Sequence, residues 1–104
     1  MKEVLYRPRA LAAVERYDHY RQARGYDPIG EEILDAIERS LLRRASWDEI
    51  VAPAFRVRGE PLQVKRIFVT VRSKRFKVYV LPVQRRGAVG IAAIRHPGQR
   101  PIER

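Results

Sequence analysis

Cysteine is absent from the sequence of 104 residues. This absence excludes a disulfide scaffold, a thiolate zinc site and a cysteine nucleophile, and it fits a reducing compartment. No apolar run comes close to the ~20 residues that a membrane-spanning helix needs, and the first eight residues lack the apolar region of a signal peptide. We therefore expect a soluble, cytoplasmic chain that forms one domain over residues 1–104.

Acidic residues are scarce in the second half of the chain. Residues 1–51 hold nine Lys and Arg and ten Asp and Glu, whereas residues 52–104 hold thirteen basic and two acidic residues. The second half thus carries all of the formal net charge of +10. Because crowded like charges do not stabilise a domain, we expect an anionic partner, either nucleic acid or an acidic protein segment. A basic surface that serves only solubility is the alternative.

The first half of the sequence predicts one short strand followed by two helices. A strand is expected at Glu3–Tyr6, and a helix over 9–24 that ends at Gly25. Asp27 as a cap and Pro28 in the first turn predict that a second helix follows at once, so the two should form an antiparallel hairpin. The residues expected on the buried faces are Ala10, Ala13, Val14, Tyr17 and Tyr20, then Ile29, Ile33, Leu34, Ile37, Leu41 and Leu42. The residues expected on the polar face of the first helix are Glu15, Arg16, Asp18, Arg21 and Gln22.

Beyond residue 54 the apolar residues alternate, which predicts strands. We expect them over 55–58, 64–71, 76–83 and 88–94, with a basic turn at 72–75 and an irregular tail from about 95. The fold class is therefore α+β. A helical hairpin should pack on one face of a twisted, mostly antiparallel sheet of four or so strands, and the other face should be partly open.

Few residues suggest enzyme chemistry. The sequence has no Gly-rich phosphate loop, and its two histidines, His19 and His96, fall in different predicted elements, so neither a metal site nor a cofactor is expected. The basic residues of the second half lie among aromatic rings, a mixture that suits RNA. The rings Phe68 and Phe76 also fit the sheet core, which is the simpler reading. The residues predicted to contact nucleic acid or another target are Lys65, Arg66, Arg72, Lys74, Arg75, Arg85, Arg86 and Arg100.

Arg95 and His96 directly follow the most apolar predicted strand, which would hold them at the rim of the open face. A histidine exchanges protons near neutral pH and an arginine stabilises negative charge on a phosphate, so the pair suits ribonucleolytic chemistry. The alternative is that His96 is a surface residue or makes a structural hydrogen bond.

Three stretches carry a resemblance to a known family. They are Tyr-Arg-Pro-Arg-Ala-Leu at 6–11, Leu-Asp-Ala-Ile-Glu at 34–38 and Ile-Arg-His-Pro-Gly-Gln-Arg-Pro at 94–101. In sequence and order they resemble the RelE/ParE toxins of bacterial type II toxin-antitoxin modules. The resemblance covers nearly the whole chain and implies a helical hairpin on an antiparallel sheet.

The resemblance implies one of two activities. RelE-like members are ribosome-dependent mRNA endonucleases, and Lys77, Arg95 and His96 would then be catalytic. ParE-like members instead bind and inhibit DNA gyrase. The missing aromatic residue after Arg95 and the segment Tyr17–Tyr20 favour the ParE-like alternative. A third possibility is a non-toxic, small basic nucleic-acid-binding protein.

Either toxin activity implies the same kind of regulatory partner. The resemblance implies a cognate antitoxin whose acidic, amphipathic C-terminal segment folds on binding and neutralises the basic sheet. The residues expected to contact it are Tyr17, Tyr20, Lys77 and Tyr79.

Overall fold

The computed structural model describes residues 2–44, 47–56, 59 and 63–98. Two helices, α1 (Pro8–Ala23) and α2 (Gly30–Leu42), lie on a five-stranded sheet, so the predicted α+β class is confirmed. A 3-10 turn, Trp47–Glu49, follows α2. The strands are β1 (Glu3–Tyr6), β2 (Ala54–Phe55), β3 (Val64–Val71), β4 (Lys74–Pro82) and β5 (Ala88–Arg95).

The strand order across the sheet is β1-β5-β4-β3-β2. All neighbours are antiparallel except β1 and β5, which run parallel. The predicted basic turn at 72–75 is shorter than expected, because Lys74 already pairs with Val71. Arg72 and Ser73 form the turn with φ of 49° and 67°. Positive φ at both central residues gives the backbone twist that a tight hairpin requires.

One face of the sheet packs against both helices and forms the main core. Alternate residues of the central strands point toward the helices, among them Ile67 and Val69 of β3 and Val78 and Val80 of β4. The predicted buried faces of the helices are largely confirmed, with Ala10, Val14, Tyr17, Ile33, Ile37 and Leu41 all in this core. Tyr20 and Leu42 were also expected to be buried, but they are exposed. Both lie near the C-terminal ends of their helices.

The start of α2 differs from the prediction because its cap comes from α1. The carboxylate of Asp18 accepts hydrogen bonds from the backbone N–H groups of Ile29 (2.8 Å) and Gly30 (3.0 Å). Asp27 and Pro28 therefore precede the helix instead of opening it. Gly30 is required at this contact, because a Cβ there would meet the Asp18 carboxylate and Val14.

Arg21 was expected on the solvated face of α1, but it is buried. Its Nε donates a hydrogen bond to the carbonyl oxygen of Asp27 at 2.8 Å. Asp18 and Arg21 thus both hold the connection between the helices, and a pattern based on solvent exposure could not identify that role.

The second face of the sheet carries a smaller core, formed by Val64, Tyr79, Leu81, Ala92 and Ala93. Ala92 and Ala93 share this face because the register between β4 and β5 shifts after Tyr79. Strand β5 is buried from Ala88 to Ile94, as expected for a strand covered on both sides.

Arg9, at the start of α1, bonds to the backbone of β5. Its Nε donates to the carbonyl oxygen of Ala92 at 2.9 Å. Gly59, from the connection between β2 and β3, lies beside the guanidinium of Arg9. Within the described residues, neither helix is both long and apolar enough to cross a bilayer.

We predict that Asp18→Ala destabilises the fold by about 1–2 kcal/mol, because two backbone donors at the start of α2 lose their acceptor. Urea unfolding followed by circular dichroism measures the change. Asp27→Ala is the matched control, since the Asp27 side chain does not cap α2, and it should change stability by less than about 0.5 kcal/mol. Equal losses from the two variants would contradict the cap assigned to Asp18.

Candidate functional site

A row of three side chains crosses the second face of the sheet on neighbouring strands. Phe68 of β3 pairs with Lys77 of β4, and Lys77 pairs with Arg95 of β5. Lys77 and Arg95 are both partly exposed. Side chains directly opposite each other on neighbouring strands have Cβ atoms roughly 5 Å apart, so two cationic side chains start from adjacent positions of the sheet.

Two more arginines extend this row by packing on aromatic rings. The Arg75 guanidinium lies over the Phe68 ring, 3.6 Å from its centroid. The Arg66 guanidinium lies 5.1 Å from the Phe68 centroid and 4.7 Å from that of Phe55. We call this group the cationic face: Phe55, Arg66, Phe68, Arg75, Lys77 and Arg95.

The cationic face has no acidic residue on its own strands. The sequence contains no Asp or Glu between residues 61 and 102, a stretch that includes β3, β4 and β5. Like charges directly opposite each other destabilise a sheet. A negatively charged ligand can contact Lys77 and Arg95 together, and bidentate Arg contacts suit carboxylate and phosphate groups alike.

The other residues predicted to contact a target lie apart from this face. Lys65 points to the helix side, where its Nζ donates to the carbonyl oxygen of Trp47 at 3.0 Å and lies 3.9 Å from that ring's centroid. Arg72 pairs with Glu32 of α2 at 3.0 Å, and Arg85 pairs with Glu3 of β1 at 3.2 Å.

The last three predicted contacts are Lys74, Arg86 and Arg100. Lys74 and Arg86 are exposed at opposite ends of the sheet, and Arg100 lies outside the described residues. Two of the eight predicted contacts, Arg66 and Arg75, lie on the cationic face together with Lys77 and Arg95.

The four residues expected to contact an antitoxin do not lie together in the structure either. Tyr79 is fully buried in the second core and Tyr17 is 8% exposed, so neither offers much surface to a partner. Lys77 is on the cationic face. Tyr20 is 51% exposed, but it lies on α1, on the helix side of the sheet.

The catalytic trio implied by a RelE-like activity is divided between the two faces of the sheet. Lys77 and Arg95 are neighbours on the cationic face, whereas His96 stacks on Tyr17 of α1 with ring centroids 5.1 Å apart. The Nδ1 of His96 donates to the carbonyl oxygen of Pro97 at 2.7 Å. Alternation along β5 explains the separation, because successive residues of a strand point to opposite faces.

Tyr6, the last residue of β1, is an ionisable group close to two acidic residues of α2. Burial raises the pKa of its hydroxyl far above the usual value, and the nearby carboxylates of Glu38 and Asp35 raise it further. The hydroxyl therefore stays protonated at neutral pH and cannot serve as a base. No three His, Cys, Asp or Glu side chains within the described ranges converge in a way that could hold a metal ion.

Comparison with known proteins gives no further guide to the site. No protein-family model, curated protein or solved structure matches the chain. The functional argument therefore depends on the geometry of the residues themselves.

If Lys77 and Arg95 repel each other, Lys77→Gln should raise the free energy of unfolding in low salt by about 0.2–1 kcal/mol. The gain should vanish in 1 M NaCl, where the screening length falls to about 3 Å. Paired urea titrations at the two salt concentrations measure it. Lys74→Gln removes the same charge opposite the apolar Val71 and should show no such gain. A loss of stability for Lys77→Gln in low salt would contradict the repulsion.

Proposed function

We propose that the chain is a growth-inhibiting toxin of the RelE/ParE type that acts by binding DNA gyrase, as ParE-like members do, and that a cognate antitoxin neutralises it. The observation that carries the proposal is the cationic face, where Lys77 and Arg95 occupy paired positions of β4 and β5. Such a face can bind an anionic surface tightly, and among the described residues it contains no Asp, Glu or His, the side chains that most often take up a proton.

The order of the elements supports this proposal. The resemblance implies a strand, a helical hairpin and then antiparallel strands, which is the order from β1 to β5. The position of His96 supports the ParE-like alternative over the RelE-like one, because its ring stacks on α1, away from Lys77. A binding activity needs only the charged face.

The second face of the sheet also suits an acidic, amphipathic antitoxin segment. Beside β1 it has a pocket of about 240 Å³ whose lining includes the apolar residues Leu5, Leu81 and Val83, with Arg7 at its margin. Acidic side chains of the segment would lie on the cationic face, while apolar side chains would enter this pocket. Binding would cover the charges that act on the target.

The test measures growth after induction and inhibition of supercoiling by purified protein and gyrase. We expect the wild type to inhibit both. Lys77→Ala with Arg95→Ala should raise the concentration needed for half-inhibition about tenfold or more, because central charged contacts dominate binding.

The matched control removes two exposed arginines from the helix layer, Arg39→Ala with Arg43→Ala, and should leave inhibition of supercoiling unchanged. No inhibition of gyrase at concentrations that stop growth would contradict the proposed target. Harmless induction would contradict a toxin and favour the non-toxic nucleic-acid-binding alternative.

A RelE-like endonuclease is the second candidate, and the adjacency of Lys77 and Arg95 favours it. In that reaction the ribose 2′-oxygen attacks the adjacent phosphate, giving a 2′,3′-cyclic phosphate and releasing the 5′-oxygen of the next nucleotide. Solvent water would accept the proton from the 2′-hydroxyl and would deliver a proton to the released 5′-oxygen. Lys77 and Arg95 would stabilise the negative charge that develops on the phosphate.

For this candidate we predict that ribosome-bound mRNA is cut after induction, and that Arg95→Ala reduces cutting by about 100-fold or more. Primer extension on total RNA measures the cuts. His96→Ala should have little effect on cutting, because its ring lies on the other side of the sheet. Intact mRNA during growth arrest would remove this candidate and leave the gyrase proposal standing.

A further inference from the structure

Three aromatic rings meet where β5 ends beside α1. The centroids of Tyr17 and His96 are 5.1 Å apart, those of Tyr17 and Tyr20 are 6.2 Å apart, and those of Tyr20 and His96 are 6.4 Å apart. The three ring planes are within 29° of parallel. The Tyr17 ring is held in place by an edge contact with Phe76 of the core. The result is a fixed group of nearly parallel rings.

A pocket of about 210 Å³ opens among these rings, lined also by Ala13 and Arg16 of α1. Ligand pockets for drug-sized molecules measure roughly 300–1,000 Å³, so this one suits a single ring system. Tyr20 keeps about half of its surface exposed. A flat group that enters the pocket would meet the rings of Tyr17, Tyr20 and His96 that line it.

Positive charge surrounds the rings. Arg16 lines the pocket, and the Arg24 guanidinium lies over the Tyr20 ring, 3.7 Å from its centroid. Arg95 precedes His96 and leads to the cationic face on the other side of β5. Flat rings beside guanidinium groups are the usual means of binding unpaired nucleobases, because the rings stack on the base and the cations bind its phosphate.

We propose that this pocket binds an unpaired base of single-stranded nucleic acid, with the base stacked against Tyr20 and His96 and its phosphate on Arg16. From there the strand would pass round the end of β5 onto Arg95 and Lys77. Nucleic acid fits better than an acidic peptide, because carboxylate side chains would use the arginines but would leave the aromatic pocket unfilled. This inference does not depend on the proposed toxin activity or on its target.

The experiment measures binding of fluorescently labelled ten-nucleotide RNA and DNA single strands by anisotropy, with a duplex of the same sequence for comparison. Single strands should bind more tightly than the duplex, whose bases cannot enter the pocket. Tyr20→Ala should weaken single-strand binding by about 5- to 150-fold, the range for loss of one stacked base. Tyr20→Phe should restore it, since stacking needs the ring and not the hydroxyl.

Tyr26→Ala is the matched control. Tyr26 is also an exposed tyrosine of the helical hairpin with an arginine over its ring, Arg21 at 5.3 Å, but it does not line this pocket. The Tyr26→Ala variant should bind single strands with the same affinity as the wild type. Circular dichroism of each variant checks that the fold is retained.

The salt dependence separates stacking from charge. Arg16→Ala should reduce the slope of log affinity against log salt by about 0.7, the value for one phosphate of a single strand. Tyr20→Ala should leave that slope unchanged while it lowers the affinity. Together these two results would identify the base and phosphate contacts separately.

Three outcomes would overturn the inference. One is equal loss of binding in Tyr20→Ala and Tyr26→Ala, and another is equal affinity for the duplex and the single strands. The third is a Glu-rich peptide that binds with the same sensitivity to Tyr20→Ala while the single strands do not bind, which would assign the pocket to an acidic protein. A mononucleotide included as a competitor shows whether the base and phosphate alone suffice, and displacement by it supports the inference.

Discussion

The crowding of positive charge on strands β3, β4 and β5, which contain no carboxylate, is the constraint on which the rest of the molecule depends. Lys77 and Arg95 are held side by side by the register of β4 and β5, and neither strand can move without disturbing the core beneath it. Arginines at the margins of the sheet are paired with carboxylates of other elements, as Arg72 is with Glu32 and Arg85 with Glu3. The cationic face, whose strands contain no carboxylate, is where we expect an anionic partner to bind.

Strand β5 links both proposed sites to the core. Its residues are buried from Ala88 to Ile94, and immediately afterwards the chain offers Arg95 to one face and His96 to the other. A rigid strand that ends in two functional side chains fixes the direction of each one. The cationic face and the aromatic pocket are thus separate in chemistry, with charge dominant in one and stacking in the other, yet they are adjacent along the chain.

Much of the fold could be predicted from local patterns, and the remainder depends on contacts between distant residues. Strand β3 was predicted at its observed bounds because β-branched and aromatic residues are dense there. The cap from Asp18 to Ile29 could not be predicted, since it joins residues that only the packed hairpin brings together. Arg95 and His96 were expected to act together. The predicted strand ended at residue 94. If it had included Arg95, the alternation of side chains along a strand would have placed Arg95 and His96 on opposite faces of the sheet.

The most direct measurement of the central claim is a map of amide chemical shifts by NMR during titration with a Glu-rich peptide. Because the peptide is a simple polyanion, it reports where the surface attracts negative charge. Changes concentrated at Arg66, Phe68, Lys77 and Arg95 are the expected result. Changes of equal size around Arg39 and Arg43 of the helix layer would contradict the claim that the cationic face is the anion-binding surface of this molecule.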